Sequence, residues 1–144
     1  MIRGKPMVQL KLLFLYQGKD LPSSRVRVLN ILPQLNGLGF NATAMEYPRS
    51  IYDKLRLLSG LRRFDIVCLQ KKMPVCPELF LLRTLSRKLV FDFDDAIYMR
   101  DDKTGNSASK TRLNRFRNIV GKANLVIAGN PALAGYAARF NQMV

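Results

Sequence analysis

Apolar positions along this chain alternate between short unbroken runs and runs spaced every three or four residues. Leu10 to Tyr16 is apolar apart from Lys11, as a strand buried on both faces reads. After the turn-rich stretch Gly18–Ser24, Val26, Leu29, Leu32, Leu35 and Leu38 recur every third residue and predict a helix. Ser23 or Ser24 is placed to cap it, Pro33 to kink it, and Gly37 and Gly39 to end it. Phe40–Tyr47 reads as a second, less regular strand. Pro48 suits the first turn of the next helix, with Ile51, Leu55 and Leu58 on one face and Gly60 closing it.

The alternation continues to the end. Asp65–Gln70 is a third strand, and Pro74 and Pro77 flank the start of a helix. That helix has Glu78 in its first turn and Arg83, Arg87 and Lys88 toward its end. Leu89–Phe93 is a fourth strand, followed by a helix from about Ser109 to Gly121 with Leu113, Phe116 and Val120 inward. Leu125–Ala128 is a fifth strand, Gly129-Asn130-Pro131 a turn and Pro131–Phe140 a last helix; a further strand is expected from Asn141. Strands alternating with helices of this length imply βαβ units. The expected fold class is α/β: an open, doubly wound, mostly parallel sheet with helices on both faces. Residues 10–144 form one domain, preceded by an N-terminal extension at residues 1–9.

Composition narrows the chemistry. The chain has 144 residues and no histidine, which excludes a Ser-His-Asp triad, a Cys-His pair and any histidine-containing zinc site. Cys68 and Cys76 match no metal or CxxC spacing, and free thiols suit a reduced, cytoplasmic setting. No apolar run approaches the roughly 20 residues of a spanning helix. Lys and Arg number 24 against 10 Asp and Glu, a net charge of +14 that attracts polyanions: nucleic acid, an anionic membrane face or phosphorylated substrates. Yet five of those ten acids, Asp92, Asp94, Asp95, Asp101 and Asp102, fall in one short segment.

In open α/β sheets ligands bind beyond the carboxyl ends of the strands, which selects the strand-to-helix loops. The first loop is neither GxGxxG nor a Walker A sequence, but Ser23, Ser24 and Arg25 at a helix start could hold an anion. The competing reading is ordinary capping beside a solvated arginine. Asp92 lies within an apolar strand, where an ionised carboxylate needs hydrogen bonds or a cation. Asp92, Asp94 and Asp95 could bind a divalent metal, act as general base or hydroxyl acceptor, or form a phosphatase-type DxD pair. The bland alternative, favoured for Asp101 and Asp102, is capping and pairing with Arg100, Arg112 or Arg115. Lys71 and Lys72 follow the third strand and could face an anionic ligand, or belong to a solvated loop. Asn130 is placed to cap a helix and to face the same cleft. The helix near 110–122 carries Lys110, Arg112, Arg115, Arg117 and Lys122 with no acid, as a membrane- or nucleic-acid-facing helix or a solvated one would.

Four segments taken together resemble a known family. They are Ser24-Arg-Val-Arg27, Phe64-Asp-Ile-Val67 with Gln70-Lys71, Leu89-Val-Phe-Asp-Phe-Asp-Asp-Ala-Ile-Tyr98, and Ala123-Asn-Leu-Val-Ile-Ala-Gly-Asn130. In that order they resemble the N-terminal domain of GT-B glycosyltransferases, nearest to the retaining family-4-like group known as glycosyl transferase group 1, over residues 8–144. The resemblance implies one Rossmann-like half of a two-domain enzyme, the half that mainly holds the acceptor. On that resemblance, the half that holds the nucleotide-sugar, with the family's paired glutamates, would lie outside these residues, and the first loop lacks the Gly-Gly of many relatives. It further implies a nucleotide-sugar donor and a hydroxyl-bearing acceptor as partners, no cofactor and no bound metal, and no complete catalysis by this chain alone. Ser23, Ser24 and Arg25 would sit by the diphosphate or acceptor; Asp94 or Asp95 would orient acceptor hydroxyls; Gln70, Lys71 and Asn130 would line the cleft. The chain would be cytoplasmic, with peripheral contact to an anionic inner membrane face. The alternative from another class is a basic binding module for nucleic acid or an anionic membrane without catalysis. Against the nucleic-acid form, aromatic residues are not interleaved with the basic ones.

Overall fold

A computed structural model describes residues 9–99 and 109–144. Five strands, β1 (Lys11–Tyr16), β2 (Asn41–Glu46), β3 (Ile66–Gln70), β4 (Leu89–Phe93) and β5 (Leu125–Ala128), form one sheet in the order 2-1-3-4-5. Every neighbouring pair is parallel. In register, Phe14 lies between Ala44 and Cys68, and Asp92 between Gln70 and Ile127. The fold is the expected Rossmann-like α/β domain. Residues 1–8 of the expected extension lie outside the described residues, as do Arg100, Asp101 and Asp102.

The pleat sends alternate residues to opposite layers. On one face Leu13, Leu15, Val67, Leu69, Phe91, Phe93 and Val126 join a single apolar core with α3 (Ile51–Gly60), α4 (Cys76–Leu85), α5 (Lys110–Lys122) and α6 (Pro131–Ala137). Its densest part is aromatic. Phe93 meets Phe116 edge-on at 5.1 Å, and Tyr98 stacks on Tyr136 at 4.3 Å. The opposite face carries Leu12, Cys68, Val90 and Asp92 beneath α1 (Pro22–Ser24), the helical turn Arg25–Leu29 and α2 (Leu32–Gly37).

Strands match expectation within a residue or two, and α5 buries Phe116 and Val120 as expected, while the phases of the first helix and of α3 differ. The first helix is capped by neither serine: Leu21 is the N-cap residue and Pro22 opens the helix. Its second turn is a π turn, with Asn30 N–H donating to Arg25 C=O at 2.8 Å. That wider turn breaks the expected spacing, so Val28 is buried while Val26 and Leu38 lie in solvent. Pro33 kinks nothing; it sits in the first turn of α2, where its missing N–H costs nothing. The helix does end at Gly37, and Gly39 takes φ +92° just beyond. Likewise α3 begins at Ile51 and not at Pro48, because Ser50 Oγ accepts from Asp53 N–H. Leu57, Leu58 and Leu61 face the core there, whereas Ile51 and Leu55 face outward. Arg87 and Lys88 lie past the end of α4. Toward the C-terminus no sixth strand forms, although Val126 N–H donates to Met143 C=O at 2.8 Å beside β5.

Candidate functional site

The carboxyl ends of β3 and β4 bring an ionic cluster together. Asp92, the fourth residue of β4, points away from the aromatic core and is almost fully buried. Arg27, from the π turn, grips it in a forked pair, Nε lying 2.9 Å from Oδ2 and Nη2 against Oδ1. The hydrogen bond to Asp92 raises the Arg27 pKa against the opposing effect of burial. This is the cation that a carboxylate in an apolar strand requires.

One residue beyond β3, Lys71 adopts φ +59°, and Lys72 N–H reaches back to Gln70 C=O at 2.8 Å. A side chain at the centre of such a γ-turn is rare and strained. The turn folds the ammonium over the end of β4, where it lies 2.8 Å from Asp94 Oδ1 and in contact with Asp95 Oδ2. The Asp94 contact is ionic: the buried Oδ1 has no well-aligned hydrogen-bond donor. Burial pulls the Lys71 pKa down, but attraction to Asp94 and Asp95 outweighs it and the net shift is upward. Gly129 makes room for the chain leaving β4; a Cβ there would stand 2.8 Å from Asp94 Cα.

Two further polar groups are buried in the same layer with no hydrogen-bond partner among the described residues. Gln70 is fully buried with neither amide atom hydrogen-bonded, and Ser24 is fully buried with a free Oγ. Each such group costs about 1–3 kcal/mol. Cys68, on the same face of β3, has its thiol pKa pushed up by burial first and by the Asp92 charge second. Nearby, an open recess of about 290 Å³ is lined by Gln17, Leu21, Tyr47, Arg49 and Lys72. Tyr47 O–H donates to Glu78 at 2.7 Å, and burial followed by that bond raises its pKa. The larger recess, about 500 Å³, lies away from Asp92, Asp94 and Asp95, between α3 and β2, with Leu13, Met45, Glu46, Asp53 and Leu57 in its wall.

The structure thus joins Gln70, Lys71, Asp94 and Asp95 at one edge. Ser23 is half-buried and Arg25 is exposed at the start of the first helix, while Ser24 is sealed beneath it. Asn130 caps α6, its Oδ1 accepting from Leu133 N–H at 2.9 Å. Asp92, Asp94 and Asp95 do not pair with Arg112, which donates to Met99 C=O at 2.6 Å, while the expected pairing of Asp101 and Asp102 lies outside the described residues. Sequence reasoning missed Arg27 as a functional side chain. The signal was the lone buried Asp92, which demanded a cation without saying which. Among the described residues no three His, Cys, Asp or Glu side chains converge as metal ligands.

No family model and no curated protein matches this chain. Among solved structures it is similar to a crystallised protein of Burkholderia pseudomallei described as pilus assembly-related, at 16% identity over 92% of each chain and a TM-score of 0.45.

Proposed function

We propose that this chain is the acceptor-side half of a retaining GT-B glycosyltransferase, whose complete form moves a sugar from a nucleotide-sugar to an acceptor hydroxyl. The observation that carries the reading is the ionic cluster at the carboxyl ends of β3 and β4. In a protein of net charge +14, three carboxylates there face two cations, so the site itself bears an excess negative charge. Such a site repels phosphate and suits hydroxyl donors, the role of an acceptor half. Asp94 and Asp95 accept from acceptor hydroxyls, Lys71 holds the two carboxylates in place, and Gln70 forms the buried floor of the cleft beneath them. Arg27 neutralises Asp92 and keeps the end of β4 rigid. The donor's diphosphate then falls to the second domain, with Ser23 and Arg25 at the rim and Asn130 at the far side of the cleft.

The test is twofold. Amide shifts of the labelled chain, titrated with simple glycosides, should move at residues 70–72 and 94–95, and nucleotide-sugar should leave them in place. In a protein carrying both halves, Asp94→Asn or Asp95→Asn should lower turnover with circular dichroism unchanged. Unchanged turnover in both variants would remove these acids from the reaction.

A further inference from the structure

The two edges of the sheet differ. At β5 the chain's own tail lies alongside, Val126 N–H donating to Met143 C=O at 2.8 Å. At β2 no segment among the described residues does so. Asn41 N–H and Tyr47 N–H point inward, to Leu10 C=O and Tyr16 C=O, so the alternate residues Ala42, Ala44 and Glu46 turn their N–H and C=O outward. Asn36 occupies the first of these, its amide accepting from Ala42 N–H at 2.8 Å and donating to Ala42 C=O at 3.2 Å. Ala44 and Glu46 have no such partner among the described residues. The strand also lacks the usual edge protection: it pairs one-to-one with β1 without a bulge and holds no lysine, arginine or proline. Beside this edge opens the recess of about 500 Å³, with Leu13, Met45, Leu57 and Phe64 in its apolar wall and Asp53 and Arg56 on its α3 side.

We infer that β2 pairs antiparallel with β2 of a second copy, about a two-fold axis through Met45, and so joins two five-stranded sheets into one. In that register Ala44 of each copy exchanges both backbone hydrogen bonds with Glu46 of the other. The next outward pair sets Ala42, already held by Asn36, against Pro48, which has no N–H to give. The ladder therefore stops where the open groups stop. Moving the axis to Ala44 would pair Ala42 with Glu46 and require Asn36 to be displaced. Met45 and its symmetry mate form the close, non-hydrogen-bonded pair. In β2 Met45 is in register with the core residue Leu15, so both methionines lie on the α3 face and the two recesses join over an apolar seam. Across the axis the α3 helices run antiparallel, setting Asp53 of each toward Arg56 of the other. Charges beside the recess balance, Glu46 and Asp53 against Arg49 and Arg56, in a chain of net charge +14. Two copies thus meet here without the repulsion of their basic surfaces, and a nucleic acid finds no cationic surplus. The two-fold points the carboxyl ends of the two sheets in opposite directions and leaves both ionic clusters open. This edge shares no residue with the proposed acceptor site, so the two readings fail independently.

In analytical ultracentrifugation the chain should sediment as a dimer at about 100 μM and dissociate on dilution, as a small interface of roughly micromolar affinity requires. Ala44→Pro removes an outward N–H at an edge position, where proline is tolerated, and should weaken association about tenfold or more with circular dichroism unchanged. Should that variant fail to fold, Met45→Lys gives the same readout by setting two ammonium groups against each other. With Cys76→Ser removing the exposed native thiol, Met45→Cys should form an intermolecular disulfide on mild oxidation, because residues paired across the axis lie within bridging distance. Thr43→Cys in the same background should not. A chain that stays monomeric at about 100 μM overturns the inference, as does a dimer that Ala44→Pro and Met45→Lys leave intact. Bridging by Thr43→Cys as readily as by Met45→Cys overturns the register and with it the proposed pairing. Slow amide exchange at Ala44 and Glu46 that is independent of concentration would mean that the edge is covered within one copy, and overturns it equally.

Discussion

Along β4, Phe91 and Phe93 enter the aromatic core, while Val90 and Asp92, one residue out of phase, face the first helical layer. On the first side Phe91, Phe93, Phe116, Tyr98, Tyr136 and Phe140 pack ring to ring. On the second side a charge is buried and held by Arg27, Gln70 lies unpartnered, and Lys71 is kept in a strained turn. Aromatic packing needs only shape and area. An ion pair in the same thin layer needs a particular partner at a particular angle, and loses heavily when that partner is missing. One side of the sheet is arranged for stability, and the other retains costs that stability alone would not select.

Removing a ring from the apolar side should have the largest effect. Phe116→Ala opens a cavity among five rings and should lose about 3–5 kcal/mol in urea unfolding. A loss below about 1 kcal/mol would mean this side is less tightly packed than its geometry requires.

On the polar side, Arg27→Met leaves Asp92 buried without its cation and should lose about 3 kcal/mol. Adding Asp92→Leu should restore most of it, because the apolar pair no longer carries a desolvated charge. A double variant no better than the single would show that Arg27 acts through packing alone.

Gln70→Met should go the other way, raising stability by about 1 kcal/mol, since it replaces two unsatisfied amide atoms at nearly constant volume. The same variant should weaken glycoside binding if Gln70 serves the proposed acceptor site. A fall in melting temperature would mean that the amide has a partner, such as a buried water.

The smallest effect concerns pH. Tyr47, in the apolar core beside α4, and Tyr98, in the aromatic cluster, both have pKa values raised above the ordinary phenol value of 10.0, burial being the first cause for each. The folded chain keeps these protons where the unfolded chain loses them. Their contribution is therefore complete below pH 10 and lost as pH climbs through the raised values. Tyr47→Phe should flatten the alkaline decline of the urea midpoint more than Tyr98→Phe does, because only Tyr47 also donates to Glu78.

How much was legible follows from the physics of each signal. β5 was readable to the residue because a continuous apolar run between Asn124 and Gly129 has no competing periodicity, and β4 because Asp92 is the one polar residue in its otherwise apolar run before Asp94. The first helix was misread because apolar residues every third position assume a constant turn, and the π turn at Arg25–Leu29 changes the phase halfway along. The apolar face of α3 was misread for a different reason. Ile51 and Leu55 were assigned inward because they are apolar, yet the helix turns Leu57, Leu58 and Leu61 to the sheet and leaves them outside. In the site, the need of Asp92 for a cation was legible and its owner was not, since Arg27 and Asp92 lie 65 residues apart. Lys71 was placed correctly after β3, but its positive φ and its grip on Asp94 and Asp95 leave no mark in composition or spacing.

The amino-acid sequence by itself determined the alternation of strands and helices, the parallel sheet, the gathering of acids after β4 and the cationic surplus elsewhere. These depend on local patterning and on charge counted along the chain. Tertiary structure alone decided that Arg27 answers Asp92, that Lys71 bridges two further carboxylates, and that, among the described residues, the tail lies along β5 while β2 stays open at the other edge. Those outcomes depend on helix phase and on distances across the sheet, which hydrogen-bond register sets in three dimensions and no linear spacing encodes.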